Sequence, residues 1–249
     1  MCAQSIDLKD EIAVVTGSGD IGEAIIEGLI QNYVKIIICD INLENAKYIV
    51  SKYKLSEDRL IALEVDTSDS NQVSKMVKKV IEKNKRIDIL INTVGILRES
   101  SIVDTSEIEW DKTLQVNLKS LFNLCKEIIP YMIKQREGKI INFASIAGER
   151  GSSLSVHYGS SKAGVIGFTK SLAKEVGRYG INVNAIAPGI IKTRMAKQKI
   201  TQEPSKYLSQ IPLGRFGVPE DVVGIVLLLI SKRGNYITGQ TINVNGGMM

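Results

Sequence analysis

Tyr158 and Lys162 stand four residues apart in the stretch "YGSSK". On a helix this spacing puts a phenol and an ammonium on one face. A lysine beside a phenol favours phenolate, moving a pKa whose reference value is about 10 towards a range useful for proton transfer. An isolated pair of this kind is more often structural, so the other polar groups nearby decide its meaning. Ser145 is expected to close an apolar strand, "KIINFAS", with its hydroxyl at the same rim. Asn117 interrupts the apolar stripe of "WDKTLQVNLKSLF", where it can support a water or backbone link to Lys162. His157 points away from the Tyr158 face of a helix and reads as a surface residue. No GxSxG stretch accompanies these groups, which disfavours a Ser/His/acid hydrolase.

A second constellation lies near the amino end. In "TGSGDIG", Gly17, Gly19 and Gly22 make a GxGxxG match between an apolar run, "EIAVV", and a helical pattern, "EAIIEGLI". Backbone N–H groups and a helix dipole at such a turn can hold a pyrophosphate. Asp40 ends the next apolar run eighteen residues after Gly22, where a carboxylate can accept from both hydroxyls of an adenosine ribose. The same charge repels a 2′-phosphate. No arginine or lysine in "CDINLEN" offsets it, which favours NAD(H) over NADP(H). A turn aspartate is the plain alternative. Asp66 and Asn92 end the third and fourth runs in the same way.

The elements that must position these groups alternate along the chain. Strand patterns are "IAVVT", "KIIICD", "RLIALEVD", "IDILIN", "KIINFAS", "INVNAIAP" and "QTINV". Helical patterns between them include residues 22–31, 70–84, 107–134, 156–179 and 219–231. Near-continuous apolar strands separated by helices imply right-handed crossovers and a parallel sheet covered on both faces. The expectation is one α/β domain over residues 1–249, a doubly wound parallel sheet of Rossmann type. Residues 190–218 are long for a plain connection and read as a substrate lid with a short helix or two.

Composition narrows the class. The 249 residues are 44% hydrophobic and 24% charged, within the globular range. No stretch reaches the roughly 18 apolar residues of a membrane helix, and no basic-then-apolar leader opens the chain, so a soluble cytoplasmic protein is expected. Cys2, Cys39 and Cys125 lack CxxC spacing, and a single histidine makes a transition-metal site improbable. The net charge of +5 is spread over amphipathic segments, so no nucleic-acid partner is expected.

In the order of their motifs, these residues resemble the short-chain dehydrogenase/reductase family over nearly the whole length. The marks are "TGSGDIG", Asp66, "NTVG" at Asn92, Asn117 in "VNLKS", Ser145 in "NFASIAG", "YGSSKAG" at Tyr158, and "PGIIKT" from Pro188 to Thr193. The nearest look is to 3-oxoacyl-[acyl-carrier-protein] reductases, through "SSKAGVIGFTKSLAKEVGRYGINVNAIAPGIIKTRM" and "YITGQTINVNGGMM". The resemblance implies a catalytic tetrad of Asn117, Ser145, Tyr158 and Lys162. It implies cofactor contacts from Gly17, Ser18, Gly19, Asp20, Ile21, Gly22, Asp40, Ile41, Asp66, Thr67, Asn92, Gly95, Tyr158, Lys162, Pro188, Gly189, Ile191 and Thr193. It also implies a homotetramer whose long helices pack on their symmetry mates, and a ketone or secondary-alcohol substrate, such as a 3-oxoacyl group on acyl-carrier protein or CoA. An NAD-dependent sugar, polyol or cyclic-alcohol dehydrogenase is a rival, and a non-catalytic scaffold subunit is another.

Three departures from the family stand out. The glycine loop is one residue shorter than TGxxxGxG, with Asp20 at its middle glycine, and this carboxylate is expected to turn outward and cap the following helix. Thr93 and Val94 replace the usual asparagine and alanine after Asn92. Of two basic positions thought to receive carrier protein, Arg136 keeps one, while Tyr179 occupies the other beside Arg178.

Overall fold

The computed structural model describes residues 7–53, 55, 56 and 58–248, with backbone alone at 198 and 199. Cys2 lies outside the described residues. Seven strands form the sheet: β1 Ile12–Thr16, β2 Lys35–Asp40, β3 Leu60–Glu64, β4 Ile89–Asn92, β5 Gly138–Phe143, β6 Ile181–Pro188 and β7 Thr241–Val244. All pairings are parallel, in the order β3-β2-β1-β4-β5-β6-β7. The order reverses between β1 and β4, the switch point at which doubly wound sheets bind ligands.

Alternate residues of each strand feed two separate cores, as the two-residue period of a strand requires. Ala13, Val15, Ile36, Ile38, Ile89 and Ile91 face α1 (Asp20–Gln31), α2 (Leu43–Tyr53) and α10 (Glu220–Ile230). Ile12, Val14, Ile37, Leu90 and Ile140 face α3 (Ser70–Asn84), α5 (Ser120–Gln135) and α7 (Val156–Val176). Short helices complete the set: α4 Glu107–Leu114, α6 Ile146–Arg150, α8 Lys197–Gln202 and α9 Pro204–Leu208. The doubly wound α/β expectation is borne out. Among the described residues, no helix is long and apolar enough to cross a membrane, and no cluster of three or more His, Cys, Asp or Glu side chains could hold a metal. Cys39 and Cys125 are free and buried, and burial pushes both thiols up to about 12.

Several boundaries differ from expectation for local reasons. The pattern at 107–134 is not one α-helix: a π-helical turn, Gln115–Lys119, separates α4 from α5 and carries Asn117 at its centre. β5 ends at Phe143. Ser145 is instead the extended N-cap of α6, its Oγ accepting the Ala147 N–H at 3.2 Å. Asp66 likewise lies two residues beyond β3, because the ladder with β2 stops at the pair Asp40 and Glu64. α2 falls in a stretch outside the helical patterns named above. Asn42 starts it by accepting the Glu44 and Asn45 N–H groups, and Ala46 and Ile49 bury its inner face.

Candidate active site

The glycine turn after β1 is built by three glycines with different tasks. Gly17 adopts φ +88, a region open to glycine, and its N–H bonds Cys39 O at 2.8 Å. A Cβ on Gly22 would lie 2.1 Å from Gly17 O, so only glycine lets α1 approach the turn. A Cβ on Gly19 would meet nothing within 4 Å. Gly19 is the N-cap of α1 and supplies no side-chain acceptor, so the N–H groups of the first helical turn are left for an external anion. This is the arrangement that a pyrophosphate requires: a tight turn, open space at the second glycine, and close helix packing at the third.

Thr93 holds the shortened loop in place. Its hydroxyl donates to Thr16 O at 2.7 Å and approaches Gly17 O at 3.2 Å. The departure from the family at Thr93 therefore faces the departure in the glycine loop. Ser18 is buried, and both its N–H and its hydroxyl donate to Asp40 Oδ2 at 2.6 Å, while Asn42 N–H donates to Oδ1 at 2.8 Å. A carboxylate has about four acceptor directions. Three of them are taken, which leaves one on Oδ1, together with the lone pairs of Ser18 Oγ, for a sugar hydroxyl. Ile41 beside it is exposed.

Asp20 does not cap α1. It occupies the first helical position, and its carboxylate reaches across to Arg194, accepting the backbone N–H at 2.7 Å and lying 3.3 Å from the guanidinium. Asp66 accepts from Ser68 N–H and hydroxyl, and Thr67 is buried with its carbonyl held by Asn123. Asn92 is buried within the sheet layer, donating to Asn142 Oδ1 at 2.8 Å.

The other half of the rim carries the titratable groups. Asn117 is fully buried. Its amide accepts Ile96 N–H at 2.8 Å and donates to Ile96 O and Ser161 Oγ at 3.0 Å. The π turn aims this side chain at the loop after β4, a device frequent at functional sites. Lys162 is buried on α7, and its Nζ donates to Phe143 O at 2.7 Å. A Cβ on Gly95 would lie 3.2 Å from that nitrogen and 3.5 Å from Asn117 Oδ1, so the bare backbone of Gly95 packs against both. Lys162 Nζ stands 5.8 Å from the Tyr158 ring centroid. Burial pushes the lysine down to about 8 and the phenol up, the latter opposed by a hydrogen bond with Ser145.

These groups open into a cavity of about 560 Å³ lined by Ile21, Gly95, Ser145, Tyr158, Lys162, Pro188, Gly189, Ile191 and Thr193. Asp40, Asp66, Asn92 and Asn117 stand outside its lining. Apolar walls come from Leu97, Leu154, Met195, Tyr207 and Met248. Phe143 O and Ser161, partners of Lys162 and Asn117, carry no sequence signal, since one acts through its backbone and the other is an ordinary helical serine. His157 is a correction: it is fully buried, and both ring nitrogens lack a hydrogen-bond partner among the described residues. α7 is enclosed by α4, α6 and β6, so more than the Tyr158 face is covered.

A family model described as Enoyl-(Acyl carrier protein) reductase matches residues 15–249. The protein named 3-oxoacyl-[acyl-carrier-protein] reductase FabG from Thermotoga maritima is 39% identical over 243 residues, covering 97% of this chain and 99% of its own. The Aquifex aeolicus protein of the same name is 40% identical over 248 residues, covering 98% and 99%. Among solved structures, the crystal structure of gox2181 superposes with a TM-score of 0.94 at 28% identity, covering 98% of this chain and 97% of that one.

Proposed function

Because this chain belongs to the short-chain dehydrogenase/reductase family, whose members are nicotinamide-dependent oxidoreductases, we propose that it reduces a 3-oxoacyl thioester to the 3-hydroxyacyl form, with NADH preferred over NADPH, in the cytoplasm. The observation that carries this reading is the cavity itself, in which Ser145, Tyr158 and Lys162 meet beneath apolar walls. A cavity of about 560 Å³ is the size of a small-ligand site.

The cofactor would lie along the rim from Asp40, past Gly19 and the start of α1, to Ile191 and Thr193, and when bound it supplies the hydride. The chain's own residues govern the proton and the orientation. Burial holds the Tyr158 proton more firmly than in a free phenol, and Tyr158 can donate it to the carbonyl oxygen as that oxygen gains charge. Ser145 donates a hydrogen bond to the same oxygen and lies against the phenol, which keeps the acid aimed. Lys162, charged below about pH 8, favours the phenolate left behind and offers a donor to the nicotinamide ribose. Asn117 fixes the loop at Ile96, and the π turn around it is the place for a proton-relay water. Residues 190–218 would act as the lid: Met195, Ala196 and, on α9, Lys206 and Tyr207 line the cavity, and the segment packs on a small core of Ile211, Phe216 and Met248.

Asp40 supports NADH through its charge and through Ser18, which holds the carboxylate where a 2′-phosphate would need to sit. For delivery of a carrier-bound substrate, Arg136 and Arg178 both lie over the Tyr179 ring, 5.8 and 4.8 Å from its centroid. This basic pair precedes β5 and β6, at the amino ends of these strands, and offers an acidic carrier a positive surface. Exposed Ile108 on α4, Phe122 on α5 and Val156 on α7 give a homotetramer apolar surface to cover.

Fluorescence titration with NADH and NADPH, followed by reduction of acetoacetyl-CoA, tests the reading. Preferential NADH binding with turnover is expected. Turnover of a polyol or cyclic alcohol alone would replace the substrate, and binding of neither nucleotide would favour the scaffold reading.

A further inference from the structure

Asp20 puts a negative charge at the first position of α1, beside the open space at Gly19 where a diphosphate would bind. Left alone it would oppose that ligand. Its partner is Arg194, 174 residues away, which donates its backbone N–H to Oδ2 at 2.7 Å and places Nε 3.3 Å from Oδ1. Among the described residues, other nearby charges do not replace this contact. Glu23 is paired with Lys52 at 2.8 Å, while Lys192 and Lys197 line the same cleft between α1 and the lid without an ion pair to Asp20.

We infer that Arg194 is a positioning residue for the cofactor: it neutralises Asp20 and turns that carboxylate away from the amino end of α1, making the shortened loop compatible with a dinucleotide. The inference rests on the dinucleotide reading above. It also ties the base of the lid to the cofactor loop, because Arg194 directly follows Thr193 at the cavity wall. The side chains are 30% exposed at Asp20 and 66% at Arg194, so solvent screens the effect and a modest change is expected.

The test is a charge-rescue cycle. NADH is titrated against the wild type, Arg194→Met, Asp20→Asn and the double variant, with adenosine as a ligand that lacks phosphate. Arg194→Met should weaken NADH binding by roughly three- to tenfold. Asp20→Asn should bind NADH more tightly than the wild type, because the opposing charge is gone, and the double variant should fall within about twofold of Asp20→Asn. Adenosine should bind all four proteins alike. An Arg194→Met loss that Asp20→Asn fails to rescue would overturn the inference, because Arg194 would then act on the cofactor directly or through lid order. No loss in Arg194→Met would also overturn it. A wild type that binds no NADH would sink the dinucleotide reading and this inference together, whereas an unrescued loss sinks the inference alone.

Discussion

Replacing Lys162 by Met should abolish reduction and yet make the protein more stable at neutral pH. Burial moves the ammonium from 10.5 to about 8, and at about 1.36 kcal/mol per unit the charged group costs the fold about 3 kcal/mol. The substitution also removes the bond from Nζ to Phe143 O, and an unpaired buried carbonyl costs about 1–2 kcal/mol. The first effect wins, leaving a net gain of about 1–2 kcal/mol, or a few degrees in Tm for a chain of this size. The sign depends on pH in a defined window. The folded pKa lies below the unfolded value, so between about 8 and 10.5 the unfolded state holds the extra proton, and wild-type stability rises with pH there. Thermal denaturation of both proteins at pH 7 and pH 10 reads this directly: the variant should melt higher at pH 7 and lose that advantage at pH 10. A variant that melts lower at pH 7, by an amount unchanged at pH 10, would refute the reasoning. In the wild type, kcat/KM for reduction should fall above about pH 8, as Lys162 loses the charge that supports the phenolate.

Other substitutions separate the parts of the site. Gly19→Val should fold normally and lose at least about tenfold in NADH affinity, because its side chain enters the open space at the start of α1. Gly22→Ala should instead destabilise the fold by about 2–3 kcal/mol, since its Cβ would collide with the Gly17 backbone; denaturant melts and NADH titrations of the pair distinguish the two effects. Tyr158→Phe should lower turnover by roughly 10²- to 10⁴-fold while NADH binding stays within about twofold, as steady-state kinetics and titration would report. Thr93→Val keeps the volume and removes the donor to the Thr16 and Gly17 carbonyls, so a loss of about 1–2 kcal/mol is expected in urea unfolding.

What the sequence made legible is what depends on period and local chemistry. β1 and β2 follow from apolar runs, β6 from apolar residues interrupted only by Asn182 and Asn184, and α3 from a strong helical stripe, and the structure places them at the expected residues. The pairing of Tyr158 with Lys162 needed only the helical period. What stayed hidden depends on contacts far along the chain. The π turn at 115–119 has no glycine or proline to announce it, and Asn117 is held there by Ile96 and Ser161. One helix face suggests a surface position for His157, but α7 is covered on several sides, by α6, β6, α4 and the π turn among others. Asp20 read as a cap because the first turn of a helix attracts carboxylates. Its actual partner, Arg194, lies in a different part of the fold, and no local rule connects the two.

The amide row buried beneath the site has a consequence for assembly of the chain. Asn92 and Asn142 sit opposite each other on β4 and β5, and Asn142 continues the row to Thr169 on α7. Gly95 and Ser145 come three residues after the two asparagines, and Lys162 lies two helical turns before Thr169. The row thus works as an indexing pin, set at a fixed offset from each group that must meet in the cavity. A ladder of isoleucines alone gives little warning of a shifted alignment. Here a one-residue slip would carry Ser145 about 3.3 Å past Gly95 and would also set one buried amide opposite an isoleucine and the other opposite Thr93 or Phe143, with the bond between the two amides unmade. Misaligned chains are therefore penalised while the sheet is forming, instead of persisting as well-packed molecules whose proton donor misses the cavity.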